Sequence, residues 1–179
     1  MSKQLAAVAA ALALATLAFA AEVPLKGFSH DNKDDLFGYY FPSPEIRVGK
    51  FRLDQFGIGT LDELKTYESG RGRLPTYAPV MFTFEDTTSK QLTNELGGTY
   101  HANEPRVLPT AYRIRGNTIA FAGSDRQIGV VTFSGTIDRA ALKAAQATGM
   151  ESDKPVIRGD LTIAGKTFKG VGFRWFGGD

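Results

Sequence analysis

The chain has 179 residues, 21 basic and 19 acidic, a net charge of +2, and no cysteine. The near balance excludes the strongly basic face that nucleic-acid binding needs. The missing cysteine excludes disulfide frameworks, thiol nucleophiles and lipid attachment at a cysteine behind an export signal.

Met1-Ser2-Lys3-Gln4 is a short, positively charged start, and Leu5 to Ala21 carries no charge. The run ends Ala18-Phe19-Ala20, the small-x-small pattern that signal peptidase accepts. Residues 1–20 are therefore expected to be a cleavable signal peptide. A run of mostly alanine is short of the ~20 strongly apolar residues of a spanning helix, so no membrane span is expected after cleavage. The expected location is periplasmic or secreted, in the cell envelope. Residues 21–45 read as a polar, flexible N-terminal segment holding Asp31, Asp34 and Asp35, followed by Tyr39-Tyr40-Phe41 and by Pro42 and Pro44.

Residues 46–179 read as a single β domain. Ile46 to Phe56 predicts one long strand whose alternation changes phase at Gly49, a bulge signal. Leu61 to Glu68 fits a helical turn or a strand equally. Ser69 to Pro75 is a loop, and Val80 to Glu85 alternates with Val80, Phe82 and Phe84 inward. Asp86 to Pro109 gives no assignable pattern. Tyr112 to Phe121 predicts a hairpin turning at Gly116-Asn117. Gly129 to Ile137 is a strand, and Asp138 then caps a helix over Ala140–Ala147 that Gly149 stops. Val156 to Ile163 and Lys166 to Phe176 form the last hairpin, with a bulge at Gly170. Twenty glycines and thirteen phenylalanines suit short strands, tight turns and an aromatic interior. The fold expected is mainly β, a small antiparallel β-barrel or strongly curled sheet with one short helix. A two-sheet β-sandwich is the alternative that the same alternation permits.

No catalytic motif is present, so no catalytic residue, metal ligand or cofactor is assigned. His30 and His101 lack zinc spacing and read as loop histidines without partners. The three aspartates lack the glycine and distal glutamate of a calcium loop. Glu85, Asp86 and Asp160 leave paired-carboxylate chemistry open, since such pairs form in space and not in sequence. The binding candidate is the loop between Tyr67 and Tyr77. There Arg71 and Arg73 alternate with Gly70 and Gly72, offering forked cations and open backbone to an anionic group, while the tyrosines supply apolar area with a polar tip.

Thr132-Phe133-Ser134-Gly135-Thr136-Ile137 and Arg158-Gly159-Asp160-Leu161-Thr162-Ile163-Ala164-Gly165-Lys166-Thr167 resemble pieces of the YceI-like family, exported bacterial proteins with a lipocalin-like barrel. The resemblance covers about the last 45 residues and implies a barrel and an apolar, lipid-like ligand. The expected function is an exported binding protein for a lipid-like or amphipathic anionic ligand. The alternative is a non-catalytic interaction module with an envelope protein partner, suggested by Tyr39 and Tyr40.

Overall fold

A computed structural model describes residues 24–31, 33–95 and 97–178. The expected signal peptide, residues 1–20, lies outside the described residues. The strands are β1 (Phe28–His30), β2 (Gly38–Ser43), β3 (Arg47–Val48), β4 (Phe51–Ile58), β5 (Val80–Asp86), β6 (Gln91–Thr93), β7 (Thr99–His101), β8 (Arg106–Val107), β9 (Pro109–Arg115), β10 (Thr118–Asp125), β11 (Gly129–Ile137), β12 (Ile157–Ile163) and β13 (Lys166–Phe176). Two helices join them, α1 (Leu61–Glu68) and α2 (Arg139–Thr148).

Eleven strands form one sheet in the order β1-β9-β10-β11-β12-β13-β2-β4-β5-β8, with β3 paired to β4. Only Leu108 separates β8, which pairs with β5, from β9, which pairs with β10. That continuous stretch draws the two ends of the path together, so the sheet is strongly curled and barrel-like. It is one sheet and not the two of a sandwich. Curvature has local sources. The register shifts between Leu53 and Gln55, between Ala122 and Gly123, and between Gly159 and Leu161. At the last shift Gly170 takes φ +62°, and its N–H donates to Asp160 Oδ1 at 2.8 Å.

The interior is full. Phe56 and Phe82 stack at 4.4 Å between centroids, and Phe121, Phe133 and Phe173 pack around them at 5.0–6.4 Å. All five are at most 2% exposed. Tyr40 joins them at 6.2 Å from Phe56, its hydroxyl donating to Leu36 O at 2.6 Å. Inward glycines make the rings fit. A Cβ on Gly135 would sit 2.6 Å from both Phe133 Cζ and Arg158 O. Phe133 and the backbone of Ser134 block the same position at Gly159.

Several expectations need correction. Within the described part of residues 21–45, β1 and β2 belong to the sheet. Asp34 accepts from Arg139 Nη1 at 2.7 Å, and Asp31 from Gly116 N at 2.9 Å, which ties the acidic stretch down. Gly49 is no bulge; at φ +57° it turns a hairpin that pairs Val48 with Phe51, and the bulge falls at Asp54. The ambiguous stretch is helix α1, because Thr60 and Glu63 form a capping box. The unread stretch after Asp86 is a β6–β7 hairpin followed by β8. Asp86 N anchors it by donating to Asn103 O at 3.0 Å. The hairpin at Gly116-Asn117, the α2 caps at Asp138 and Gly149, and the inward Val80, Phe82 and Phe84 stand as expected.

The glycine–ring fit gives a direct test by chemical denaturation. Phe56→Ala should cost about 3–5 kcal/mol through the cavity it leaves. Gly135→Ala should cost about 1–3 kcal/mol through overpacking. Gly57→Ala, where a Cβ meets only Met81 O at 3.9 Å, should be close to neutral. Equal losses at Gly57 and Gly135 would remove the argument that Phe133 needs the glycine.

Candidate functional site

Helix α1 is built at both ends by side chains. Thr60 Oγ1 accepts from Glu63 N at 3.3 Å, and Glu63 Oε2 accepts from Thr60 N at 2.7 Å. Beyond Ser69 the chain doubles back through Gly70 and Gly72, at φ +82° and +66°. Arg71 N donates to Thr66 O at 3.1 Å, and the returning loop ends with Tyr77 Oη donating to Glu63 Oε1 at 2.7 Å. One carboxylate thus holds the start of the helix and the far end of the loop. Burial raises the Glu63 pKa, but the bonds from Tyr77 and Thr60 outweigh it and hold the carboxyl below its ordinary value.

Between helix and loop lies a cleft of about 310 Å³. Thr66, Tyr67, Gly72, Leu74, Tyr77 and Pro79 line it, with Asp62 and Glu63 at one side. Leu74 is 56% exposed. The four residues expected to form a site separate here. Tyr67 and Tyr77 both line the cleft. Arg73 does not: its guanidinium lies 4.8 Å from the Phe28 centroid and 5.1 Å from that of Tyr67, and its Nε donates to Tyr67 O at 3.2 Å. Arg71 is exposed, its Nε donating to Ser69 Oγ at 3.1 Å.

Beneath α1 sits a polar cluster that sequence reasoning missed. Glu68 accepts from His30 Nδ1 at 2.9 Å and from Tyr112 Oη at 3.1 Å. The His30 side chain is 8% exposed, so it is no loop histidine without partners. Burial first, then the Glu68 charge, pushes the Tyr112 phenol far above its ordinary range. The available signal was spacing: Leu64, Tyr67 and Glu68 share one face of α1. His101 is also partnered, with Nδ1 2.9 Å from Ser89 O and Nε2 3.9 Å from Glu85 Oε1.

Glu85, Asp86 and Asp160 do not line the α1 cleft. Asp86 accepts from Lys50 Nζ at 2.7 Å, Thr88 Oγ1 at 2.7 Å and Asn103 Nδ2 at 3.1 Å, the Lys50 bond doing most to hold its carboxyl far below the usual range. Glu85 takes Arg52 Nε at 2.9 Å. Burial, then Glu104 and Glu85, raises Asp54. Asp160 faces solvent and serves the Gly170 bulge. Among the described residues no three His, Asp or Glu side chains are grouped to hold a metal ion. No described helix is long and apolar enough to cross a membrane.

A second surface adjoins the cleft. Phe176, Tyr39, Gly57 and Met81 are cross-strand partners on β13, β2, β4 and β5. They form an outward row, with Tyr39 39% exposed. A shallow groove over Gly57 and Met81 shares Tyr77 and Pro79 with the cleft. Tyr40, also expected on the surface, points into the core at 0% exposure.

Two predictions follow from this geometry. Arg73→Ala should lower stability by about 1 kcal/mol, the scale of an exposed cation–π contact with one hydrogen bond, while Arg71→Ala should stay within about 0.5 kcal/mol; thermal melts compare them. For Glu63 the lowered pKa fixes the sign. Its contribution is complete above the unfolded carboxylate value, about 4.3, and vanishes as pH falls through the lower folded value. Amide exchange over residues 60–79 should therefore accelerate below about pH 4, and Glu63→Gln should show fast, pH-independent opening. An unchanged exchange profile in that variant would assign the loop's order elsewhere.

No protein-family model, curated protein or solved structure matches this chain.

Proposed function

We propose that the chain is an exported, non-catalytic binding protein that takes an apolar or amphipathic ligand on the outside of its barrel, in the cleft between α1 and the 69–79 loop. The observation that carries this reading is the contrast between a filled interior and an uncovered cleft. Five phenylalanines occupy the space where an internal ligand would lie, whereas Leu74, Tyr77 and Pro79 leave an apolar concavity of about 310 Å³ open. Concave, mainly apolar sites with a few polar groups are where small ligands bind. Arg71, whose terminal nitrogens have no partner among the described residues, is the cation available to an anionic head group at the rim. The uncharged run Leu5–Ala21 supports export, and the likeness of β11 and β12 to YceI-like proteins supports a barrel that binds.

Native mass spectrometry of protein purified from its own cells, with binding of a fluorescent fatty acid in vitro, tests the reading. A co-purifying mass and saturable binding are expected. Leu74→Asp should weaken that binding at least ~10-fold without altering the melting temperature, because Leu74 is exposed. A bare mass together with no saturable binding would overturn it.

The in-register row Phe176–Tyr39–Gly57–Met81 favours a second reading, an interaction module with a protein partner on that wall. Crosslinking that captures a partner in wild type and loses it in Tyr39→Asp, with fatty-acid binding absent from both, would select it.

A further inference from the structure

A second groove, of about 380 Å³, lies where β1 meets β9, lined by Ser29, His30, Asp31, Arg113, Ile114 and Arg115. Its chemistry is set by strand alternation. On β9, Tyr112 and Ile114 turn inward and are buried, so Arg113 and Arg115 turn outward and are exposed. They stand two residues apart on one face, ~6.6 Å along the strand. The parallel pairing of β1 sets Ser29 directly beside Arg113. Phe28 and His30 turn toward α1, so this groove opens on the side of β1 opposite the cleft.

The groove holds more donors than acceptors. Asp31 is the one carboxylate lining it, and both its oxygens are committed: Oδ1 accepts from Gly116 N at 2.9 Å, and Oδ2 lies 3.5 Å from Arg115 Nε. Among the described residues, neither the Arg113 guanidinium nor the Ser29 hydroxyl has a hydrogen-bond or ion-pair partner. A planar fork, a hydroxyl beside it and a second guanidinium only partly neutralised are the donor set that oxyanions accept.

We infer that the β1–β9 groove is a binding site for a small polyanion carrying two neighbouring oxyanion groups, of the phosphate class. One group is gripped by Arg113 with Ser29, and the other by the free side of Arg115. Asp31 sets the affinity by competing for Arg115. This site does not rest on the reading of the α1 cleft, and neither arginine shares a partner with it.

Inorganic pyrophosphate titrated into the full chain at low ionic strength, followed by amide chemical shifts, is the test. Saturable shifts centred on Ser29, Asp31 and Arg113–Arg115 are expected, weakening as salt screens the charges. Arg113→Ala should weaken binding at least ~10-fold. Asp31→Asn should tighten it several-fold, because the amide oxygen still accepts from Gly116 while the competing charge is gone. The control is Arg158→Ala, an exposed outward arginine on β12 that does not line the groove; it should leave affinity unchanged. Melting curves confirm that each variant is folded. Shifts that never saturate, an equal loss in Arg158→Ala and Arg113→Ala, or weaker binding in Asp31→Asn would each overturn the site. Vesicles containing phosphatidic acid identify the source. Competition between vesicles and pyrophosphate marks a lipid headgroup, and indifference to vesicles marks a free anion.

Discussion

The ring cluster around Phe56 is the constraint on which the rest of the molecule depends. Six of the sheet's strands send an aromatic side chain to one place: Tyr40, Phe56, Phe82, Phe121, Phe133 and Phe173. Edge-to-face and stacked rings contribute about 0.5–1.5 kcal/mol per pair beyond the area they bury. Several such pairs sharing rings fix the diameter of the barrel. The glycines at 135 and 159 follow from that, since an inward side chain there would occupy the volume of Phe133. A filled barrel has one functional consequence. Its outside and the segments that leave the wall are the surfaces open to a ligand or partner.

Helix α1 opens one of those segments, and its placement answers a gap in the sheet. β5 pairs with β8 only around Phe82 and Thr83, and the far end of β9 pairs with β1, so Val80 and Ile114 face a seam. α1 spans it. Gly59 N donates to Pro79 O at 2.6 Å just ahead of β5, and Glu68 at the other end receives His30 and Tyr112. Only Leu64 and Tyr67 of the helix are buried, so polar contacts carry much of its attachment. Net hydrogen bonds contribute about 0.5–1.5 kcal/mol each, less than burying another large side chain would.

What the sequence made legible was whatever local chemistry decides. Strict alternation placed Val80, Phe82 and Phe84 inward, and Gly116-Asn117 announced its hairpin. Asp138 and Gly149 bounded α2, because caps act within a few residues. Gly49 misled because one glycine with positive φ serves a turn or a bulge alike, and which it becomes depends on whether β3 folds back onto β4. The stretch after Asp86 was silent because β6, β7 and β8 are two or three residues long, too short for periodicity to register. In the loop, Arg71 and Arg73 looked alike, yet only Arg73 comes within reach of Phe28, forty-five positions earlier. The His30–Glu68–Tyr112 cluster joins three distant segments. Local spacing sets Glu68 on one face of α1 with Leu64 and Tyr67, but it encodes neither the parallel pairing of β1 nor the crossing of the helix that bring its partners to it.

The exterior that remains is divided by wall. Across β10, β11, β12 and β13 the outward register runs Ala122, Thr132, Thr162 and Thr167. All four are small, the three threonine hydroxyls hydrate readily, and the Thr162 and Thr167 oxygens lie 2.9 Å apart. Across β13, β2, β4 and β5 the corresponding row is Phe176, Tyr39, Gly57 and Met81. Both rows sit on the same kind of alternating strand over the same aromatic core, so packing beneath does not distinguish them. Core demands fix inward positions and leave outward ones free. On the first wall Val130 stands out at one end of β11, whereas the second wall lines up three large apolar groups in one row. That wall also meets α1 at Tyr77 and Pro79, which makes the cleft and the row one continuous apolar track from Leu74 to Phe176. The cost of leaving that track in water falls on a single side of the barrel, the side that already carries the uncovered cleft.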